Sequence, residues 1–154
     1  MRNKIKIGIT QGDTNGVGWE VILKIFADAR MTELCTPVVY GSSAAATFYA
    51  RRFKECLEEE VRFNIVDSAE RAQSGKVNLV ECGSKELYIS AGKPSKEGGE
   101  AAAAALRAAA DDLKEGIIDA LVTAPIDKEM IQSAEFPYTG HTEFLAKELD
   151  GEPL

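Results

Sequence analysis

A β-branched apolar run leads into a proline-marked polar loop at Leu121-Val-Thr-Ala-Pro-Ile-Asp-Lys128. A second loop follows at Pro137-Tyr-Thr-Gly-His-Thr-Glu-Phe-Leu145, and it carries the only histidine of the chain, His141, beside Thr142. Pro and Gly mark turns, and the carboxyl ends of parallel strands open into a crevice where α/β proteins bind ligands. The two loops therefore predict an α/β fold and a place for a ligand.

Apolar strand patterns and amphipathic helix patterns alternate along the chain. We expect strands at 4–10, 37–41, 61–66, 76–82 and 117–123. We expect helices from about 19, from 42 or 43 to about 53, from 95 to about 115, at 130–133 and at 142–149. This alternation predicts a three-layer α/β/α fold with a mostly parallel sheet. Because another strand would normally follow the last helix, residues 1–154 are expected to be one incomplete α/β domain, the amino-terminal portion of a longer protein.

The composition is that of a globular domain with one core. Of the 154 residues, 45% are hydrophobic and 28% are charged. The net charge of −7, with scattered Lys and Arg, argues against nucleic acid or an anionic membrane as a partner. No apolar run approaches the roughly 20 residues of a membrane span. Three widely spaced cysteines do not form a zinc-binding pattern, so a reduced, cytoplasmic location is expected.

The first candidate segment is the glycine-rich loop within Gln11–Glu20. A loop of this kind before a helix can hold an anion on its backbone N–H groups. Its glycine spacing matches neither a P-loop nor the Gly-x-Gly-x-x-Gly pattern. The alternative is a structural turn that needs a positive φ angle, in which Asp13 and Asn15 make local hydrogen bonds.

The second candidate segment is Thr123–Lys128. Lys128, just past a strand end, could contact a phosphate or carboxylate as a point charge. In the alternative interpretation Pro125 ends the strand, Asp127 caps the next helix, and Lys128 is solvated.

The third candidate segment is Gly140–Glu143. The imidazole of His141 can donate or accept near neutral pH, and Thr142 adds a hydroxyl, so the pair could bind an oxygen-rich substrate. Alternatively, Thr142 is a helix N-cap with Glu143 in the first turn, and His141 is a surface residue. A single histidine does not build a metal site, so no metal ligand is assigned in residues 1–154.

Three segments carry a resemblance to a known family: Ile7-Gly-Ile-Thr-Gln-Gly-Asp-Thr-Asn-Gly-Val-Gly-Trp-Glu20, Val122-Thr-Ala-Pro-Ile-Asp-Lys-Glu129 and Tyr138-Thr-Gly-His-Thr-Glu-Phe-Leu-Ala146. In order and approximate spacing they resemble the 4-hydroxythreonine-4-phosphate dehydrogenase family of vitamin B6 biosynthesis. The first loop departs from the family pattern, because Thr14, Asn15 and Trp19 replace Pro, Ala and Pro.

The resemblance implies a fold like that of isocitrate and isopropylmalate dehydrogenases. It also implies NAD- or NADP-dependent oxidation and decarboxylation of 4-phosphooxy-L-threonine in pyridoxal phosphate biosynthesis. A homodimer is implied, with a divalent metal (Zn, Mg or Co) whose ligands lie beyond Leu154. His141 and Thr142 match the family's substrate-binding pair, and we add Lys128 and Asp13 as further substrate-binding candidates. Residues 1–154 alone are expected to be inactive.

Three other functions remain open at this point. One is a related dehydrogenase that acts on another phosphorylated hydroxy acid, such as a threonate or erythronate phosphate. Another is a phosphate acyltransferase on a related fold, which would need no nicotinamide. The last is a ligand-binding domain that kept the fold without catalysis.

Overall fold

A sheet of five parallel strands lies at the centre of the computed structural model, which describes residues 3–132 and 135–151. The strands are β1 (Lys6–Thr10), β2 (Thr36–Gly41), β3 (Phe63–Val66), β4 (Val77–Glu81) and β5 (Ala120–Thr123). Their order across the sheet is β3-β4-β2-β1-β5, and every neighbouring pair is parallel. The carboxyl ends of all five strands therefore lie along one edge of the sheet.

Helices cover both faces of this sheet. Those in the described part of the chain are α1 (Gly18–Phe26), α2 (Met31–Leu34), α3 (Ser43–Arg52), α4 (Lys96–Lys114), α5 (Lys128–Ile131) and α6 (His141–Glu148). Helices α1 and α3 share one core with the sheet, and α4 shares a second core with the opposite face. The predicted α/β class with three layers is confirmed.

Strand β2 shows why the layers form. All six of its residues are buried, and successive side chains point to opposite faces of a sheet. Val39 belongs to the core that contains Leu23 of α1, whereas Val38 and Tyr40 belong to the core that contains Ala105 of α4. A strand buried on both faces reads as a continuous apolar run, which is the pattern of a central parallel strand.

Two serines begin the helices as the sequence predicts. The hydroxyl of Ser42 accepts a hydrogen bond from the backbone N–H of Ala45 at 3.2 Å, at the start of α3. The hydroxyl of Ser95 accepts one from the N–H of Gly98 at 3.0 Å, at the start of α4. Each cap satisfies an N–H group that has no partner within its own helix.

Strand β5 is shorter than predicted, because it begins at Ala120 rather than at residue 117. Gly116 has a φ angle of +75°, which turns the chain out of α4. The N–H groups of Ile117 and Ile118 then donate to the carbonyl oxygen of Asp112, at 2.9 and 3.4 Å. Those two residues are held against the end of the helix, so the sheet can pair only with the residues that follow.

Helix boundaries near the candidate site also differ from the prediction. Helix α5 begins at Lys128 instead of 130, and position 133 of the predicted helix lies outside the described residues. Helix α6 begins at His141, and its N-cap is Gly140, so the prediction that Thr142 caps this helix is wrong. The sequence did not predict α2, a single turn between α1 and β2.

Candidate functional site

The first two candidate loops lie side by side at the carboxyl edge of the sheet. The backbone N–H of Asp13 donates to the carbonyl oxygen of Pro125 at 3.0 Å. The N–H of Ala124 donates to the carbonyl oxygen of Thr10 at 3.2 Å. Gly12 has a φ angle of +68°, which a residue with a side chain rarely adopts. The glycine-rich loop is thus docked on the loop that follows β5.

A buried glutamine holds the first loop from inside. The Gln11 side-chain oxygen accepts hydrogen bonds from the Trp19 indole N–H at 3.1 Å and from the Ser42 backbone N–H at 2.9 Å. Its amide nitrogen donates to the carbonyl oxygen of Ala101 at 3.2 Å. One side chain therefore ties β1 to α1, α3 and α4, and its polar atoms are all satisfied, as buried polar groups require.

Asn15 holds a second segment against the first loop. Its side-chain nitrogen donates to the Lys93 carbonyl oxygen at 3.0 Å and to the Ser95 hydroxyl at 2.8 Å, and its side-chain oxygen accepts from the Ser90 N–H at 2.9 Å. Its own N–H donates to the Asp13 carboxylate at 3.0 Å. The predicted local hydrogen bond between Asp13 and Asn15 is present, whereas the Asn15 side chain bonds to a distant part of the chain instead of within the turn. Anion binding by this loop remains a prediction.

Asp13 lies beside the first turn of α4 and does not line the hollow that the other three predicted site residues share. Its Oδ1 atom lies so close to Gly98 that a Cβ atom there would be 2.5 Å away. The pKa of the Asp13 carboxyl is raised above its ordinary value, chiefly by burial. The hydrogen bond from Asn15 lowers this pKa in part, and the nearby charge of Asp127 raises it further. Its role as a substrate-binding residue remains a prediction.

Lys128, His141 and Thr142 line one open hollow of about 570 Å³. The hollow lies between α5 and the first turn of α6, and the remaining lining residues are Glu129, Gln132, Thr139, Gly140 and Glu143. Asp127 caps α5, because its carboxylate accepts from the N–H groups of Glu129 at 3.0 Å and Met130 at 3.1 Å. This cap fixes the start of the helix that carries Lys128, and the Lys128 side chain is exposed.

His141 has the chemistry of a ligand-binding residue. Its Nε2 atom is buried and has no hydrogen-bond partner among the described residues. Burial lowers the pKa of the imidazole, and the positive charge of Lys128 lowers it further. A neutral imidazole offers one donor and one acceptor, so His141 can bind either a hydroxyl group or an oxyanion.

A larger hollow, of about 640 Å³, lies elsewhere on the molecule. It lies between α3 and β3 and includes the acidic run Glu58–Glu60. None of the residues in the three candidate loops lines it. The smaller hollow is the candidate functional site, because convergent polar groups and a perturbed histidine identify a site better than volume does.

The described residues do not supply a metal centre. Within residues 3–132 and 135–151, no three His, Cys, Asp or Glu side chains lie close enough to hold a metal ion. The described residues alone therefore do not form a site that fits a metal ion. Within the same residues, no helix has the length and apolar character needed to span a membrane.

Sequence reasoning missed the contact that holds the third loop in place. Both the backbone N–H and the hydroxyl of Thr139 donate to Oε2 of Glu143, each at 2.8 Å. A Ser or Thr followed by Glu before an apolar run is the signal of a capping box. Here the pair is one residue farther apart than in the usual box, so a search for the common spacing overlooks it.

Comparison with known proteins identifies the family. The family model described as "Pyridoxal phosphate biosynthetic protein PdxA" matches residues 33–154. The chain belongs to this family. The match includes two of the three segments on which the resemblance was predicted, and the stretch with His141 and Thr142 is one of them.

Individual relatives in the PdxA family cover nearly all of this chain. The 4-hydroxythreonine-4-phosphate dehydrogenase of Bacteroides thetaiotaomicron is 47% identical over 96% of this chain. A relative from Oceanobacillus iheyensis, with the provisional name D-threonate 4-phosphate dehydrogenase, is 34% identical over 96% of it. The crystal structure of a 4-hydroxythreonine-4-phosphate dehydrogenase from Burkholderia phymatum superposes with a TM-score of 0.80, at 30% identity over 98% of this chain.

The chain spans less than half the length of these relatives. It covers 39% of the Bacteroides protein, 44% of the Oceanobacillus protein and 45% of the Burkholderia chain. The fold and the family of this chain are therefore shown.

Proposed function

We propose that this chain is part of a nicotinamide-dependent dehydrogenase that oxidises and decarboxylates 4-phosphooxy-L-threonine in pyridoxal phosphate biosynthesis. The observation that carries the proposal is that Lys128, His141 and Thr142 line the same hollow. Their ammonium, imidazole and hydroxyl groups suit a small substrate rich in oxygen atoms. Two family members, from Bacteroides thetaiotaomicron and Prosthecochloris aestuarii, carry the name of this enzyme.

Lys128 is the candidate for the anionic part of the substrate. Its side chain is exposed, and among the described residues its ammonium group forms no salt bridge. An ammonium group binds phosphate or carboxylate as a point charge. A free cation at the rim of the hollow can therefore attract and orient the phosphorylated acid.

His141 and Thr142 are the candidates for the polar centre of the substrate. The Nε2 atom of His141 loses its hydration in the fold without gaining a protein partner, so a substrate oxygen that bonds to it restores a missing interaction. The hydroxyl of Thr142, in the first turn of α6, can donate to or accept from a neighbouring oxygen of the same substrate. Together the two side chains orient the molecule rather than change it chemically.

NAD or NADP, when bound, would accept the hydride from the secondary alcohol, and the resulting ketone, β to the carboxylate, would permit loss of carbon dioxide. The contribution derived for this chain is to bind and orient the substrate. Asp13 is proposed as a more distant contact, since its loop is docked on the loop that precedes Lys128. Homodimer formation, a divalent metal and a cytoplasmic location are parts of the same proposal.

One alternative has a specific observation in its favour. The relative from Oceanobacillus iheyensis is named for D-threonate 4-phosphate, which lacks the amino group of 4-phosphooxy-L-threonine. Its identity of 34% is lower than the 47% of the Bacteroides relative, so the amino acid substrate is the preferred proposal.

A substrate panel tests the proposal. The full-length protein that contains this chain is incubated with 4-phosphooxy-L-threonine, D-threonate 4-phosphate or D-erythronate 4-phosphate, each with NAD or NADP and a divalent metal. We expect reduced nicotinamide and carbon dioxide to form fastest with 4-phosphooxy-L-threonine. Faster turnover of D-threonate 4-phosphate supports the alternative, and no nicotinamide reduction with any compound contradicts the dehydrogenase proposal. In a separate incubation with an acyl-CoA and inorganic phosphate and without nicotinamide, formation of acyl phosphate and free coenzyme A would instead indicate an acyltransferase.

Matched variants test the assigned residues in the same assay. Lys128→Met removes the proposed anion contact, and Lys114→Met removes an exposed cation at the far end of α4. Loss of a charge-assisted hydrogen bond is worth roughly 1.5–3 kcal/mol, so kcat/KM falls about ten- to a hundredfold for Lys128→Met and stays the same for Lys114→Met. Equal effects of the two variants would remove Lys128 from the proposed site.

A further inference from the structure

We propose that Glu143 is a positioning residue that fixes the turn carrying His141 and Thr142 in its binding geometry. The inference rests on the proposed substrate-binding role of that pair. Glu143 itself does not contact the substrate in this proposal, because it acts by holding the loop that carries the pair. The evidence is a pair of hydrogen bonds that closes the loop onto the helix.

The clasp joins the two ends of the turn. Oε2 of Glu143 accepts hydrogen bonds from both the backbone N–H and the hydroxyl of Thr139, each at 2.8 Å. Gly140, His141 and Thr142 lie between these two partners. The same two bonds lower the pKa of the Glu143 carboxyl, so the group that closes the clasp stays ionised. Hydrogen bonds to a charged acceptor are about twice as strong as neutral ones.

Helix α6 needs this clasp because it lacks an ordinary cap. Its N-cap residue is Gly140, which has no side chain to accept a hydrogen bond from the first turn. Glu143, in that first turn, reaches back and ties down the preceding segment instead. A carboxylate at this position also suits the positive end of the helix dipole. The start of α6, and with it the direction of the His141 side chain, therefore depends on Glu143.

The clasp also explains how the Nε2 atom of His141 stays buried without a protein partner. An imidazole on a free loop would rotate toward water, since an unsatisfied buried polar atom costs roughly 1–3 kcal/mol. Two bonds that fix the chain on both sides of Gly140 oppose that rotation. The hydrogen-bonding capacity of the Nε2 atom is thereby kept for a ligand in the hollow that Thr139, His141 and Glu143 all line.

Nuclear magnetic resonance and kinetics on one set of variants test the proposal. The variants of the full-length protein are Glu143→Ala, Glu143→Gln and Thr139→Val. The resonance of His141 is assigned as the one that disappears in His141→Gln. Glu143→Ala removes the acceptor, whereas Glu143→Gln keeps an oxygen that accepts but loses the charge. Glu148→Gln, which removes the same charge from the other end of α6 outside this hollow, is the matched control.

We expect Glu143→Ala to release His141 into solvent, so that its pKa rises toward 6.5, the ordinary value for a histidine. KM is expected to rise about tenfold with a smaller change in kcat, because the pair binds the substrate but is no longer held in place. Glu143→Gln, which keeps the acceptor without its charge, should lie between wild type and Glu143→Ala. Thr139→Val, which keeps only the backbone bond, should also lie between them, and Glu148→Gln should match the wild type.

Two results would overturn the proposal. One is a pKa of His141 in Glu143→Ala equal to that of the wild type, and the other is a Glu143→Gln variant as impaired as Glu143→Ala, which would make charge rather than hydrogen bonding the cause. If Glu143→Ala fails to fold, Thr139→Val is compared with wild type instead, and an unchanged pKa of His141 in Thr139→Val would overturn the proposal. The pKa readout needs no turnover, so it remains informative even if the proposed dehydrogenase activity is absent.

Discussion

Gly12 lies so close to Pro125 that a Cβ atom on Gly12 would overlap the carbonyl oxygen of Pro125. The neighbouring hydrogen bond from Asp13 to Pro125 holds the two loops at this separation. The contact joins the loop after β1 to the loop after β5. Close packing of backbone against backbone thus positions the loop that runs from Pro125 to Lys128, and no side-chain interaction is needed for this contact.

We expect Gly12→Ala to destabilise the protein by roughly 2–5 kcal/mol. About 1–2 kcal/mol comes from a side chain at positive φ, and about 1–3 kcal/mol from overlap with the backbone of Pro125. Gly75→Ala is the matched control, since Gly75 also has a positive φ angle, +83°, but has no atom within 4 Å of the added Cβ. Urea denaturation should show the larger loss for Gly12→Ala, and equal losses would contradict the close contact.

Gln11→Leu is expected to be more damaging than its small change in volume indicates. The substitution leaves the Trp19 indole N–H and the Ser42 backbone N–H buried without an acceptor. Each such donor costs roughly 1–3 kcal/mol, which gives a loss of about 2–6 kcal/mol in the free energy of unfolding. Gln73→Leu, at an exposed position, should change it by less than about 0.5 kcal/mol. Thermal denaturation of the two variants measures the difference, and a near-neutral Gln11→Leu would show that the network is unimportant.

Stability should depend on pH through His141. Burial, and then the charge of Lys128, lowers the pKa of this histidine in the folded chain below its ordinary value of 6.5. Between these two pKa values the unfolded chain binds more protons, so the free energy of unfolding falls as the pH falls. The stability that depends on the neutral His141 imidazole is fully present above pH 6.5. It is lost as the pH drops through the pKa of His141 in the folded chain. Denaturation of wild type and His141→Gln across this range should show a steeper fall for the wild type, and parallel curves would contradict the lowered pKa.

The three cysteines should differ in reactivity. Cys56 is exposed, whereas Cys35 and Cys82 are buried. Burial, aided by the charge of Glu81, raises the pKa of the Cys82 thiol to about 12, and burial also raises that of Cys35. Because the thiolate is the reactive form, iodoacetamide should modify Cys56 first in the native protein. Peptide mapping by mass spectrometry measures the order, and similar rates at all three sites in urea provide the control. Early labelling of Cys82 in the native protein would contradict its burial.

Much of the fold follows from local patterns that can be read without coordinates. Ser42 and Ser95 begin their helices because their hydroxyls reach N–H groups only three residues away. The predicted start of β5 was wrong because competing hydrogen bonds hold the residues before it. Ile117 and Ile118 have the composition of a strand, yet they bond to Asp112 and stay outside the sheet. Strand propensity is weak compared with such competing hydrogen bonds.

The candidate site was predictable as a set of residues but not as a geometry. His141 and Thr142 were identified from their motif, and Lys128 from its place after a strand. Their shared hollow, the position of Asp13 away from it and the clasp between Thr139 and Glu143 depend on how α5 and α6 pack. No local pattern encodes that packing, because it joins segments that other residues separate.

The sequence by itself determined the alternation of strands and helices, the caps of α3, α4 and α5, and membership of the family, since each rests on residue types at short and regular spacing. Only the tertiary structure decided which polar groups meet. Gln11 finds its partners on α1, α3 and α4, and His141, whose Nε2 atom is buried without a partner among the described residues, lines a hollow together with Lys128. The physical reason is that desolvation and hydrogen bonding act on atoms brought together by packing, regardless of their distance along the chain.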